Sequence, residues 1–435
     1  MEILFEFEII NRGDGDGELG LLGYHNDENF DEITPPTKVE ALSDQVIVEV
    51  ACGCYHTCAF TSTGAIYTWG SGVGTGHGDG GVILLPRLLD DLSSKGVICA
   101  STFYKNVAFV TKAGELYTCG DEYLRGNLGH GYYHGAKYKA LLPKFVEALA
   151  GIMVKTVSCG TWHTAVCTDA GLVYTFGRSE YGKLGHGDTD EDKFAPVLVR
   201  ALVGRHITQV QCGENNTMAL TSSGYVFTWG CNENGQLGHG SRLHNKLISI
   251  SIPCLVERLC EHNVIQISSG SHSAVLVDPS PSPIRQSQQA SFNNKQCSDV
   301  VFMVENRPLY ANVDILSQKS DYFAAMFRSN MRESLERVVQ VPNCSKAALL
   351  RVLEYLCLDD FIMSIDDAVG LWQLADMYQL EGLKYFCMSA LERGLCKENV
   401  SQILEEVEGL DCPCDELKSI CRQYLVGDCW RWSET

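Results

Sequence analysis

The chain has 435 residues, 45% of them hydrophobic, and a formal net charge of −20 at pH 7. This length suffices for two or three domains with separate cores. No segment approaches the roughly 18 apolar residues of a membrane span, and Met1–Glu6 lacks the basic start of a secretion signal. We therefore expect a soluble protein of the cytoplasm or nucleus that does not contact membranes.

The negative charge is concentrated at the two ends of the chain. Residues 1–32 carry −9 and residues 297–435 carry −10, whereas the residues between them sum to −1. Binding to nucleic acid requires a basic face that displaces counterions from phosphate, and no cluster of Lys and Arg supplies one. Nucleic acid is therefore not an expected partner.

The 20 cysteines are spread over the whole chain, many within apolar stretches, which favours reduced, buried thiols over a disulfide scaffold. Two close pairs, Cys52 with Cys54 and Cys412 with Cys414, lack the two-residue spacer and the matching second pair of a typical zinc site. We predict neither a metal site nor a cofactor.

A unit of about fifty residues occurs four times before residue 241. Each unit has a Gly turn, a short strand rich in β-branched and aromatic residues, a Gly and then Gly-His-Gly. The strands end at Trp69-Gly70, Cys119-Gly120, Phe176-Gly177 and Trp229-Gly230. Repeated antiparallel strands without intervening amphipathic helices predict a β-propeller.

The repeat motifs resemble the regulator-of-chromosome-condensation repeat, and the resemblance covers nearly all of residues 1–278. The residues that carry it are Cys159-Gly160-Thr161-Trp162-His163-Thr164, Tyr174-Thr175-Phe176-Gly177 and Tyr181-Gly182-Lys183-Leu184-Gly185-His186-Gly187. The repeat near residue 97 departs from the pattern, because Thr102-Phe103 replaces Cys-Gly and Asn106 replaces His.

Propellers of this family typically have seven blades, but only four full repeats are visible here. Two fragments remain, Gly17–Gly20 near the start and 269–276 near the end of the repeat region. We predict that the two ends share a fifth blade, with residues 3–11 pairing with the strand at 272–277. The alternative is a truncated larger ring that stays open.

One histidine recurs in every repeat, at His77, His130, His186 and His239. Equivalent positions on different blades are spread around the ring and could not easily share one metal ion. We therefore interpret these residues as structural hydrogen-bonding groups at a turn.

Residues 279–296 are rich in Pro, Ser and Gln, with proline at alternate positions from Pro279 to Pro283. Such a segment cannot continue a sheet, so we predict a semi-extended tether between two independent modules.

The pattern then changes to a strand at 299–304 followed by helices from Ile315 onward. Ser364 and Asp367 fit a capping box at the start of one helix. The segment resembles a BTB (POZ) domain over 297–395, with a helical BACK-like extension at 396–435. The matching stretches are Ser298-Asp299-Val300, Ser320–Phe327, Met331–Ser334, Leu353–Leu356 and Ala375–Lys384.

BTB domains typically dimerise, and many recruit cullin-3 as substrate adaptors of RING ubiquitin ligases. The resemblance implies that Met331-Arg332-Glu333 is the recruiting motif, with Met331 entering a groove and Glu333 fixing orientation. Phe327 and Tyr355 are assigned to the same cullin surface. The alternative is that Met331 packs into its own core and Glu333 is solvated.

Two departures affect these assignments. Asn312-Val313 stands where the family commonly has His-Lys, so the basic residue that pairs with Asp299 in some dimers is missing. Cys357-Leu358 replaces Tyr-Thr near the cullin-facing helices. Both the predicted dimer contact at Asp299 and the cullin surface are therefore altered relative to the family.

The sequence contains no Ser nucleophile elbow, P-loop or zinc-binding His-Glu-x-x-His, so we predict an adaptor that is not an enzyme. The propeller would bind an unidentified target protein, and the BTB domain would bind a cullin or a second copy of the chain. One alternative is guanine-nucleotide exchange on a small GTPase. Another is a BTB scaffold dimer without cullin.

Overall fold

The computed structural model describes residues 39–431, apart from 122–125, 132–138, 188–190, 241–248, 271–272, 281, 329–334, 343, 359–360, 362, 397–398 and 410–414. Residues 3–11 and Gly17–Gly20 lie outside the described residues. The predicted sharing of a fifth blade by the two chain ends therefore stays a prediction.

The repeat region forms four-stranded antiparallel sheets, which we call blades 1 to 4, followed by a two-stranded sheet. Blade 1 contains β1 (Ile47–Cys52), β2 (His56–Thr61), β3 (Ile66–Ser71) and β4 (Val82–Leu88), followed by a short helix α1 (Asp90–Ser93). Blade 2 contains β5 (Val97–Phe103), β6 (Asn106–Thr111), β7 (Leu116–Asp121) and β8 (Lys139–Phe145). Blade 3 contains β9 (Val154–Cys159), β10 (His163–Thr168), β11 (Val173–Gly177) and β12 (Lys193–Leu198). Blade 4 contains β13 (Ile207–Cys212), β14 (Asn216–Thr221), β15 (Val226–Cys231) and β16 (Ser249–Leu255), and the last sheet pairs β17 (Asn263–Ser269) with β18 (Ser273–Asp278).

The first strands of successive blades lie side by side, so the blades are arranged as in a propeller. The second strand of every blade is buried along its whole length. These strands are rich in Thr, Val and Ala, which pack on both faces between adjacent blades.

The glycine at the last or second-to-last position of the third strand of each blade is required by a close approach of two backbones. Gly177 has φ +117°, and a Cβ there would lie 2.4 Å from the Trp162 carbonyl oxygen. Gly230 has φ +105°, with the Asn215 carbonyl oxygen 2.5 Å away from the same position. The glycine of the aromatic-Gly pattern is thus required because any side chain at this position would clash with the neighbouring backbone.

Hydrogen bonds join neighbouring blades in a repeating pattern. Ser101 Oγ accepts from the Cys159 amide at 2.9 Å, and Ser158 Oγ accepts from the Cys212 amide at 2.8 Å. In the second strand of the blade, a threonine hydroxyl donates to a turn carbonyl of the preceding blade. These bonds run from Thr164 to Asn127 and from Thr217 to Lys183, both at 2.8 Å.

The C-terminal module begins with a three-stranded sheet and continues with helices. β19 (Val300–Val304) lies between β20 (Arg307–Ala311), which is antiparallel to it, and β21 (Val338–Gln340), which is parallel. The helices are α3 (Val313–Lys319), α4 (Asp321–Arg328), α5 (Lys346–Cys357), α6 (Ile365–Met377), α7 (Glu381–Gly394), α8 (Val400–Glu408) and α9 (Asp415–Arg431).

The predicted strand at 299–304 and the predicted helices are confirmed. The apolar stripe of α5, for example Leu349 and Leu353, is fully buried. The predicted cap of α6 is also present, since Ser364 Oγ accepts from the Asp367 amide at 3.2 Å.

The predicted semi-extended tether is wrong over half of its length. Residues Pro283–Ser291 form a helix, α2, with Ser282 as N-cap and Pro283 in the first turn. Proline is favoured there because the first amides of a helix have no intrahelical acceptor. The alternating prolines therefore lead into a helix.

The expectation of two independent modules is also wrong. The apolar core of the C-terminal module continues into blades 3 and 4, where Leu202, Phe227 and Leu255 belong to the same buried cluster as residues of α5 and α7. The two modules share one packed junction.

Candidate partner-binding surfaces

The predicted cullin motif lies in sequence between α4 and β21, and both Met331 and Glu333 fall outside the described residues. Phe327, in the last turn of α4, is only 8% exposed. Its ring stacks on Phe323 with centroids 6.3 Å apart, and the Arg337 guanidinium lies 5.7 Å from its centroid. Most of Phe327 therefore packs into its own module.

Asp299, predicted to contact a second copy, serves the local fold in this structure. Its carboxylate accepts a hydrogen bond from the Val313 amide at 2.8 Å. Asn312 caps α3, because its side-chain oxygen accepts from the amides of Asp314 and Ile315 at 3.0 and 3.3 Å. The departure from the family pattern at Asn312 thus has a structural role, since Asn is a favoured N-cap residue.

Tyr355, predicted to face a cullin, is 5% exposed and packs against the propeller. Its hydroxyl donates to the Val203 carbonyl at 3.4 Å. Burial raises the pKa of Tyr355 to about 12, although the charge of Arg205 acts in the opposite direction. The propeller of the same chain occupies the side of α5 on which Tyr355 lies.

The residue at the centre of this junction is Arg205, which the sequence analysis did not identify. It is 2% exposed, and its Nη1 donates to the Leu358 carbonyl at 2.6 Å. Its guanidinium lies 4.8 Å from the ring centroid of Tyr355 and 5.4 Å from that of Phe386. Phe386 also meets Phe227 of blade 4 edge to face, at 6.3 Å. A lone arginine between two repeats has no sequence pattern that marks this role.

A second arginine attaches α2 to blade 4. The Arg285 guanidinium lies 3.9 Å from the ring centroid of Tyr225 and donates to the carbonyl of Cys260. It also donates to the Ser223 and His262 carbonyls, each at 3.3 Å. Three carbonyls and one aromatic face thus fix the start of the helix on the propeller.

The turns between the first and second strands of blades 1 to 3 carry an aromatic cluster. Tyr55 and Tyr104 lie 5.5 Å apart between centroids, and Tyr104 and Trp162 lie 5.7 Å apart. The Lys105 ammonium lies 5.6 Å from both tyrosine rings. All four residues are half-buried, so this face presents aromatic surface together with a positive charge.

The divergent repeat noticed in the sequence builds the middle of this cluster. Phe103 pairs with Asn106, so Tyr104 and Lys105 form a two-residue hairpin turn. Tyr104 has φ +50°, a conformation rarely adopted by a bulky residue. The loss of Cys-Gly at 102–103 therefore places an aromatic side chain between Tyr55 and Trp162.

The recurring histidines bond within their own repeats, which confirms their structural interpretation. His186 Nε2 lies 2.9 Å from Thr175 Oγ1, and the equivalent distance from His130 to Thr118 is 2.8 Å. Burial is the main cause that lowers the pKa of both histidines to about 4. Within the described ranges, no three His, Cys, Asp or Glu side chains come together as a metal site would need.

Lys183 is a buried cation that the sequence analysis did not single out. Its side chain is fully buried, and Nζ donates to Asn215 Oδ1 at 2.8 Å. Burial lowers the pKa of Lys183 to about 8.

Among the helices that the structure describes, none has an apolar stretch long enough to cross a bilayer.

Comparison with known families matches both halves of the chain. The regulator of chromosome condensation (RCC1) repeat matches residues 14–60, 113–167, 170–220 and 223–277, and a second description of this repeat matches 154–183 and 207–236. The BTB/POZ domain matches residues 288–395.

Curated relatives match about three fifths of the chain. The human E3 ubiquitin-protein ligase HERC2 is 34% identical over 266 residues, covering 60% of this chain but 5% of HERC2. The ultraviolet-B receptor UVR8 of Arabidopsis thaliana is 34% identical over 259 residues, covering 59% of this chain and 56% of UVR8. The chain thus spans little more than half of one relative and a small part of the other.

The crystal structure of human WBSCR16 superposes on 60% of this chain and 65% of its own, with a TM-score of 0.51 and 24% identity. The fold and the family matches together define a multidomain protein in which a repeat β-propeller precedes a smaller mixed α/β module. More specifically, the chain combines RCC1 repeats with a C-terminal BTB/POZ domain, as the sequence predicted.

Proposed function

We propose that this protein is an interaction adaptor that recruits a target protein to a cullin-based ubiquitin ligase. The observation that carries the proposal is the presence of RCC1 repeats and a BTB/POZ domain, two kinds of interaction module, in one chain. Such an adaptor works by holding two proteins close together, which raises their effective concentration. It needs no catalytic residues of its own.

A role in ubiquitination has additional support, because one relative with 34% identity over 266 residues is named an E3 ubiquitin-protein ligase. We place the target contact on the aromatic cluster of Tyr55, Tyr104 and Trp162, since aromatic residues are enriched at the centres of protein interfaces. We place the cullin contact at Met331 and Glu333. Tyr355 is covered by the propeller and is not used in this arrangement.

The cullin contact is tested by the double substitution Met331→Ala and Glu333→Ala in the full chain. We expect loss of co-purification with cullin-3, because both the apolar side chain and the orienting carboxylate are removed. The matched control is Met377→Ala with Glu381→Ala, which removes the same residue types at exposed positions of α6 and α7. Equal cullin recovery from both double variants would contradict the proposed contact.

Guanine-nucleotide exchange on a small GTPase is separated from this proposal by a nucleotide-release assay. Release accelerated by the full chain would favour exchange, whereas an adaptor leaves the release rate unchanged. A BTB scaffold without cullin is indicated if the chain dimerises and no cullin co-purifies.

A further inference from the structure

The junction between the propeller and the C-terminal module contains one charged group surrounded by aromatic rings. Arg205 lies at the turn before β13, and its guanidinium contacts the rings of Tyr355 and Phe386 from α5 and α7. It also donates to the carbonyl of Leu358, just after α5. The side chain of Arg205 therefore contacts α5, α7 and the residue that follows α5.

Burying the charged side chain of Arg205 costs free energy unless other groups replace its contacts with water. A guanidinium removed from water needs compensating hydrogen bonds and aromatic faces, and Arg205 is 2% exposed. The aromatic faces and the Leu358 carbonyl come from the other module. If the modules separated, Arg205 would regain water, but Tyr355 and Phe386 would be exposed.

Close packing of the two backbones accompanies this contact. A Cβ at Gly382, at the start of α7, would lie 2.2 Å from the Tyr355 hydroxyl and 3.2 Å from the Val203 carbonyl oxygen. The absence of a side chain at Gly382 lets α7 approach the propeller segment 200–205. The junction is thus built for close contact from both sides.

We propose that Arg205 is an intramolecular latch, which holds the propeller and the C-terminal module as one rigid body and closes the aromatic surface of Tyr355 and Phe386. The occupant of this surface is the segment 200–205 of the same chain. This inference goes beyond the adaptor function and does not depend on which partner the chain binds. Opening the latch releases the orientation of the modules and exposes the aromatic surface.

The test is hydrogen exchange of the full-length R205A protein, followed in two segments from different modules, 200–206 and 353–358. We expect exchange in both segments to rise together, by about tenfold or more, while blade 2 stays protected. Calorimetry should then resolve two unfolding transitions where the unsubstituted protein shows one. The R205K protein keeps the charge but loses the planar fork, so an intermediate result is expected.

The matched control is R351A. Arg351 is a partly buried arginine that also lies near an aromatic ring, 4.6 Å from the ring centroid of Phe361, but its ion pairs with Glu354 and Asp367 lie within the C-terminal module. We expect R351A to raise exchange only in that module. Phe386→Leu removes the latch contact from the other side and should reproduce the two-segment effect even if R205A folds poorly.

Two outcomes would overturn the latch. One is faster exchange confined to 200–206 in both R205A and Phe386→Leu. The other is a rise of similar size over the whole chain, blade 2 included, because this would indicate general loss of stability without uncoupling of the modules.

Discussion

At the scale of single residues, two buried histidines show how neighbouring repeats differ. His163 Nε2 lies 2.9 Å from the Oγ1 of Thr217, which is in the second strand of the next blade. His56 occupies the same place in blade 1, but the next blade presents Val107, and neither ring nitrogen of His56 has a hydrogen-bond partner among the described residues. A buried polar group without a partner reduces stability.

The first prediction concerns Val107→Thr. The new hydroxyl would be placed relative to His56 as the Thr217 hydroxyl is placed relative to His163, and it would form a hydrogen bond to His56. We therefore expect a gain of about 1 kcal/mol in the free energy of unfolding. Val110→Thr is the control, because it places a hydroxyl in the same buried strand away from the histidine, at a cost of about 1 to 3 kcal/mol. Denaturant unfolding measures both, and a loss of stability in V107T similar to that in V110T would contradict the assignment.

The second prediction concerns acid sensitivity. Burial lowers the pKa of His56 to about 4, whereas an unfolded histidine has a pKa near 6.5. Between these values the unfolded state binds more protons, so stability is fully present above about pH 6.5 and falls as the pH decreases toward 4. For His56 alone the loss between about pH 7.5 and pH 5 is about 2 kcal/mol.

Asparagine replaces this histidine naturally at Asn106 and Asn216, so His56→Asn is the matching variant. Its free energy of unfolding should depend less on pH over this interval than that of the unsubstituted protein. Parallel pH dependences in the two proteins would show that His56 does not titrate with unfolding.

At the scale of elements, the repeats and the amphipathic helices could be predicted because their patterns are local. The Gly-aromatic periodicity located β3, β7, β11 and β15, and the apolar stripes located α5 and α6. The helix α2 could not be predicted in the same way. Three prolines at alternate positions favour extended backbone, but Pro283 follows Ser282, and the pair forms a helix start when Arg285 is bound by blade 4.

The third prediction tests the close backbone contact at the end of a blade strand. Gly177→Ala would place a Cβ 2.4 Å from the Trp162 carbonyl oxygen and force a residue to keep φ +117°. We expect a loss of at least about 2 kcal/mol in the free energy of unfolding. Gly151→Ala is the control, because Gly151 has φ +79° and no atom of the described residues lies within 4 Å of a Cβ placed there, so only the conformational cost of about 1 kcal/mol applies. Equal losses in the two variants would show that the close contact at Gly177 does not matter.

At the scale of the whole molecule, the contact between the two modules could not be predicted from composition. Arg205, Tyr355 and Phe386 are far apart in sequence and none belongs to a motif that describes the junction. Such a contact depends on the relative placement of two folds, which periodicity and spacing do not encode. The resemblance to the BTB domain assigned Tyr355 to the cullin surface, but this resemblance carries no information about the propeller, which covers Tyr355 in this chain.

The fourth prediction concerns division of the chain. Cutting after Asp278 would expose Leu202, Phe227 and Leu255 on one fragment and Phe386 on the other. We expect fragments 1–278 and 279–435 each to bind a hydrophobic dye and to associate more than the intact chain does. Two monodisperse fragments with native-like unfolding transitions would show that the junction contributes little to either fold.

The bonds between successive blades also bear on how such a ring can grow by duplication. Thr164 and Thr217 occupy equivalent positions and donate to the turn carbonyl upstream. In a tandem copy of blade 3, the copied Thr164 would donate to the Lys183 carbonyl, as Thr217 does now, so this bond would be kept. A copy of blade 2 would instead bring Val107 to that position and leave the carbonyl unmatched. Insertions during evolution should thus be tolerated better as copies of blade 3 than as copies of blade 2.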